Sequence, residues 1–124
     1  MLGGGIAIAT QSGDGGENDD TIPSLSGTWM GSIFTDDGLG NIIPLNTKLI
    51  LTQNGNEITG RGDIETIPID LVSGTYTYPN VNLTLDAFGA PPAYFQGTVT
   101  DKNTITGHVN GFGFNNDPLT LKRQ

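Results

Sequence analysis

The chain of 124 residues contains no cysteine. That removes disulfides, zinc–thiolate sites and thiol nucleophiles together, and it leaves the redox compartment open, an oxidising exterior included. Basic side chains are scarce as well: five Lys and Arg stand against thirteen Asp and Glu, for a net charge of −8. Such a balance repels nucleic acid and anionic lipid, so neither is expected as a partner. No run of about 20 apolar residues exists, which excludes a membrane-spanning helix. The usual surface helix formers are few, while nineteen Gly and seven Pro interrupt helices wherever they fall. An all-β chain is what remains.

Residues 1–26 differ in composition from the rest. They are rich in Gly, Ser and Asp, and Asp14, Glu17, Asp19 and Asp20 alone supply half of the net charge of −8. This reads as a tether. It lacks the basic start and the apolar run of about 7–15 residues of a secretory signal, so the chain as written is expected to be a mature or trimmed form, or one made without such a signal. One part departs from a tether: Ile6-Ala7-Ile8-Ala9-Thr10 alternates like a short strand. Two segments are therefore expected, an extension or donated strand over 1–26 and one β domain over 27–124.

From Gly27 onward, short alternating runs are separated by turn residues. "GTWMGSIFT" ends at Asp36-Asp37-Gly38, and a loop runs to Pro44. "NTKLILTQ" ends at Asn54-Gly55, a strong hairpin signal. "EITGRGDI", "DLVSGTYTY", "VNLTLDA", "AYFQGTVT", "TITGHVNG" and "PLTLKR" follow, with turns at Pro79-Asn80, Asp101-Lys102-Asn103 and near Asn115-Asn116. Eight strands in this order predict an antiparallel up-and-down barrel, with a β-sandwich as the alternative.

Period-two alternation separates two faces. Taking Trp29 as inward, that face collects Trp29, Ile33, Leu49, Leu51, Ile58, Ile64, Val72, Tyr76, Val81, Leu83, Leu85, Phe95, Val99, Ile105, Val109, Leu119 and Leu121. The other face is rich in Thr, Asn and Lys. Gly60, Gly74, Gly97 and Gly107 each follow an inward apolar and an outward polar residue. Glycine inside a strand costs stability unless a bend or close approach needs it, so these four are expected to let strands coil and to leave interior volume. Trp29, Tyr76 and Phe95 are the expected fillers, and a residual ligand cavity is the alternative.

Gly27-Thr28-Trp29 opening the first strand, the "ITG" repeats and the closing Leu121-Lys122-Arg123 resemble the lipocalin and avidin-like barrels. The resemblance implies that Trp29 sits at the closed end under a basic side chain, Arg123 or Lys122, through a cation–π contact. Biotin binding is not implied, because this chain has one Trp and an almost wholly apolar inner face. The pattern is also similar to small secreted or lipid-anchored bacterial domains, which implies an extracytoplasmic place, at the cell surface, secreted or periplasmic.

Chemical motifs are sparse. Arg61-Gly62-Asp63 spells an adhesion tripeptide, but those work from mobile loops and this one falls inside a strand. His108 stands among Thr and Asn on the solvent face without a nucleophile in frame. Asp36, Asp37, Gly38, Gly40 and Asn41 lack the regular spacing of a calcium loop, as does the acidic group of the extension, so no metal and no cofactor is expected. Asn82-Leu83-Thr84 matches a glycosylation acceptor within a strand. No enzyme is expected, because the inward face offers no converging titratable groups.

Two functional classes remain. The preferred one is a structural or interaction domain that associates with itself or a cell-surface protein through Ile6 and Ile8 and an outer apolar patch of Met30, Phe34, Phe112 and Phe114, to which Ile50 adds; the alternative for the patch is a bulge at Gly111-Phe112-Gly113 that returns one Phe to the core. The alternative is a binding protein for a small apolar ligand in a barrel mouth lined by Tyr76, Tyr78, Phe88, Tyr94 and Phe95.

Overall fold

A computed structural model describes residues 22–87 and 89–124. Ile6, Ile8 and Phe88 lie outside the described residues. Among the described residues the elements are β1 (Gly27–Asp36), β2 (Ile42–Asn54), β3 (Glu57–Ile64), β4 (Ile67–Thr77), β5 (Asn80–Asp86), β6 (Ala93–Asp101), β7 (Thr104–Gly111) and β8 (Phe114–Arg123). Each pairs antiparallel with the next, and β1 also pairs with β8 from Trp29↔Arg123 to Ile33↔Leu119. That last ladder closes the barrel and excludes the sandwich.

The alternation placed the core correctly. Every inward residue named above is buried, and Leu25, Ile69, Ala87 and Ala93 join them. Trp29, Phe95, Ile33, Ile105 and Val109 are fully excluded from solvent, so the middle of the barrel is packed. Full burial of such side chains stabilises by roughly 1.5–3 kcal/mol each. Thr104, which alternation with the inward Ile105 places on the outer face, is buried at 7% exposure; its neighbour Lys122 donates to its hydroxyl at 3.1 Å.

Three strand starts were misread, all at the end of the barrel away from Trp29. β2 begins at Ile42 and β4 at Ile67, where sequence reading placed loops. β8 begins at Phe114, and the turn falls on Phe112-Gly113. Both turn residues have positive φ, 53° and 88°, the geometry that matches the twist of a two-residue hairpin. Asn115 and Asn116, the expected turn, instead face Asn110 at a bulge, where the Asn116 N–H donates to the Asn110 side chain at 2.7 Å. The consequence is a correction: Phe112 and Phe114 are half-buried and pack on the core, so they leave the outer patch. Met30 and Phe34 remain exposed, at 43% and 47%.

The glycines serve a different purpose from leaving space. A Cβ on Gly60 or Gly74 would stand 2.1 Å and 1.9 Å from the carbonyl oxygens of Ile50 and Asn82 on the neighbouring strands, and one on Gly107 would meet Gln96 O at 2.1 Å. No side chain fits such a close approach of backbones. Only at Gly97 does the missing side chain free interior volume, and the Phe95 ring takes it, 2.6 Å from where a Cβ would be.

Candidate ligand site

The two ends of the barrel differ. At one end the chain enters through Pro23–Leu25 and folds across the opening. Leu25 is fully buried, and its carbonyl accepts the indole N–H of Trp29 at 2.9 Å. Its own N–H donates to Gln53 Oε1 at 2.8 Å, and the Tyr76 hydroxyl donates to Pro23 O at 2.8 Å. Arg123 lies over Trp29 with its guanidinium carbon 4.4 Å from the ring centroid. From there it donates to the carbonyls of Ser24, Ser26 and Lys102. Residues from the end of the compositional extension thus belong to the barrel's plug.

This arrangement disperses the expected mouth. Tyr76 is buried at 2% exposure and packs edge-on against Tyr78, with centroids 6.4 Å apart, both at the plugged end. Phe95 is core. Tyr94 stands on the outer face, paired with Thr84 and Asn110 and 49% exposed. Tyr76, Tyr78, Tyr94 and Phe95 therefore do not converge.

A cleft of about 680 Å³ opens instead at the opposite end, lined by Ile67, Pro68, Asp70, Asp86, Ala87 and Ala90. A bulge builds it. Gly60 pairs with Val72 but Gly62 with Ile69, so Asp70 and Leu71 both oppose Arg61. The extra residue keeps Val72 and Ile69 inside and turns Asp70 and Leu71 outward, with Leu71 49% exposed. β5 ends beside this kink at Asp86, whose partner is Leu71, and just beyond it the Ala90 N–H donates to Ala87 O at 3.1 Å. The walls are apolar and the polar groups are two carboxylates.

Around the same end the β1–β2 hairpin runs past its neighbours. Ile42 to Asn46 pair with β1 but not with β3, which begins its ladder at Thr47↔Ile64. Phe34 faces Pro44 and Asp36 faces Ile42; Ile42 is 66% exposed and Leu39, at the tip, 84%. Asp37 organises that tip by accepting the backbone N–H groups of Leu39 at 2.7 Å and Asn41 at 3.2 Å. These bonds hold its carboxyl below the ordinary value, the Leu39 bond contributing most.

Arg61-Gly62-Asp63 lies within β3, with Arg61 beside Ile50 and Asp63 beside Lys48. His108 is exposed on β7 beside Gln96, on a different part of the barrel from Asp70 and Asp86.

No protein-family model and no curated protein matches the chain. Solved structures do resemble it. A redesigned β-barrel, mFAP1, bound to DFHBI shares 21% identity over 80% of this chain and 94% of its own, with a TM-score of 0.56. The structure of EF1p2_mFAP2b bound to DFHBI shares 20% identity over 81% and 94%, with a TM-score of 0.52. A further redesigned barrel, b11L5F_LGL, shares 19% over 81% and 91%, with a TM-score of 0.50. At these identities the likeness is one of fold, the eight-stranded lipocalin-like barrel.

Ile67, Pro68, Ala87 and Ala90 escaped sequence reading because the first two looked like loop, Ala87 like the end of the fifth strand and Ala90 like turn. The available signal was Ile67-Pro68-Ile69, an apolar run directly before Asp70.

Proposed function

We propose that the chain is a non-catalytic binding protein that takes a small, mainly apolar ligand in the cleft between the start of β4 and the end of β5. The observation that carries this is the cleft itself. Its volume of about 680 Å³ lies in the range of roughly 300–1,000 Å³ typical of ligand pockets, and its apolar walls with a few polar groups match their usual chemistry. Asp70 and Asp86 would orient the ligand. The likeness to barrels solved with DFHBI supports a small-ligand reading, and the distance in the fold between His108 and the two carboxylates supports a non-catalytic one.

The test is a titration of the full chain with an apolar fluorescent naphthylamine probe. Ala87→Trp, which fills the cleft, and Ile67→Asp, which makes it polar, are each expected to weaken binding at least about tenfold, the equivalent of ~1.4 kcal/mol. Unchanged binding in both variants, with the fold intact by circular dichroism, sinks the reading.

Self-association is a second reading, favoured by the exposed Phe34, Leu39 and Ile42 on the projecting hairpin. Light scattering of the full chain over a range of concentrations tests it, and one monomeric mass throughout ends it. An extracytoplasmic place belongs to the same proposal and rests on the composition of residues 1–26 and on the family resemblance.

A further inference from the structure

The outer face of β5, β6 and β7 carries a second concavity, of about 550 Å³. Strand register builds it in rows. Asn82, Gln96 and His108 stand side by side, and Asn80, Thr98 and Thr106 form the next row. The floor is backbone: Gly97 faces Gly107, and a Cβ on Gly107 would meet Gly97 Cα at 2.6 Å. Tyr94, two residues before Gln96, lies on the same face and is 49% exposed.

Three properties select what fits here. Neither row contains Asp, Glu, Lys or Arg, although the chain has thirteen Asp and Glu and five Lys and Arg; the one titratable side chain on them is His108. The side chains of Asn82, Gln96, Thr98, Thr106 and His108 make no hydrogen bond to another described residue. The strands are all internal to a closed barrel, so no edge is offered to an added strand. A charged partner finds no carboxylate, ammonium or guanidinium on these rows. An apolar one strands the amides and hydroxyls without partners, which is costly once water is displaced.

We propose that this face binds a neutral saccharide. Each Asn or Gln amide offers two N–H donors and a carbonyl acceptor, a combination that adjacent sugar hydroxyls satisfy as donor and acceptor together. The Tyr94 ring presents an apolar face to the C–H side of a sugar ring and a phenol to its edge. The site is separate from the cleft at β4 and β5 and does not depend on it.

The experiment is a nitrogen-15 NMR titration of the full chain with maltohexaose, cellohexaose, mannohexaose and N-acetylchitohexaose, which cover α- and β-linked hexoses and an N-acetylhexosamine. At least one is expected to shift the backbone and side-chain amides of Asn82 and Gln96 and the backbone amides of Thr106 and His108, with millimolar affinity. Gln96→Ala is expected to weaken that binding about three- to tenfold, and Tyr94→Ala by a similar factor, while Thr52→Ala on the far side of the barrel leaves it unchanged. Silence across all four sugars at millimolar concentration overturns the proposal. So do shifts confined to Ile67, Ala87 and Ala90, and so does equal binding of Gln96→Ala and the parent.

Discussion

The Arg123 guanidinium carbon stands 4.4 Å from the centroid of the Trp29 ring, and the two residues are also cross-strand partners in the ladder that closes the barrel. One side chain therefore does three things at once. It covers the indole, it fastens the incoming segment through Ser24 and Ser26, and it ties the β6–β7 turn through the Lys102 carbonyl and the Asn103 side chain. The fork of five N–H donors suits guanidinium alone.

Arg123→Lys is expected to recover little of the loss caused by Arg123→Ala, because an ammonium cannot reach those acceptors together. A cation–π contact of about 0.5–1 kcal/mol, added to hydrogen bonds from a charged group, makes Arg123→Ala cost about 2–4 kcal/mol. Urea midpoints at constant slope measure both. A lysine variant as stable as the parent would refute this account.

Leu25 links the extension to the core, since it is fully buried and its carbonyl holds the Trp29 indole. Leu25→Ala is expected to destabilise by about 2–5 kcal/mol. Trp29 is the sole tryptophan, so its emission reports the plug directly. A red shift and stronger iodide quenching in the variant are expected. Unaltered emission and stability would mean that the plug is not held by Leu25.

Two glycine substitutions separate backbone from side-chain contact. Gly74→Ala drives a Cβ to 1.9 Å from Asn82 O, whereas Gly97→Ala meets the Phe95 ring at 2.6 Å. Backbone in a ladder cannot yield, and a ring can rotate a little. Gly74→Ala is expected to cost more than about 3 kcal/mol and Gly97→Ala about 1–3 kcal/mol. Chemical denaturation orders them, and the reverse order contradicts the account of the glycines.

The pH dependence has two limbs. Asp37 and Asp101 lie below the ordinary value of 3.8, chiefly because their carboxylates accept the N–H groups of Leu39 and Asn103. Being more acidic when folded, they contribute fully above pH 3.8, and the contribution is lost as pH falls through their lower folded values. Tyr76 lies above 10.0, first through burial and then through the neighbouring Tyr78. Its contribution is complete below pH 10.0 and is lost as pH climbs through the raised value. Asp101→Asn should flatten the acid limb of a stability–pH curve and Tyr76→Phe the alkaline one. Limbs that persist unchanged in both variants would assign the pH dependence to other groups.

Strand number, the antiparallel order and most of the inward residues from Trp29 to Leu121 were legible in the sequence, because period-two alternation is a local property that each strand displays by itself; Ile69, Ala87 and Ala93 were not. What the alternation could not carry was a change of parity. At Asp70-Leu71 and at Asn115-Asn116 an extra residue on one strand has no local mark; it is defined by the partner across the ladder, Arg61 in one case and Asn110 in the other. Those two bulges moved Phe112 and Phe114 onto the core and made the cleft beside Ile67. Convergence was the other thing left to tertiary structure. Tyr76 on β4 and Tyr94 on β6 are both aromatic, yet Tyr76 points inward under the plug and Tyr94, one residue out of step with the inward Phe95, lies on the outer face. Likewise, the Gly97–Gly107 pair and the row Asn82–Gln96–His108 exist only once β5, β6 and β7 are in register. Composition and alternation determined that the chain would be an acidic, antiparallel β protein, since burial of alternating apolar residues needs no more than the chain itself; that it closes into a barrel and not a sandwich was decided by the β1–β8 ladder. Which side chains share a site was decided by register and closure, because contacts between distant residues are set by pairing and not by spacing.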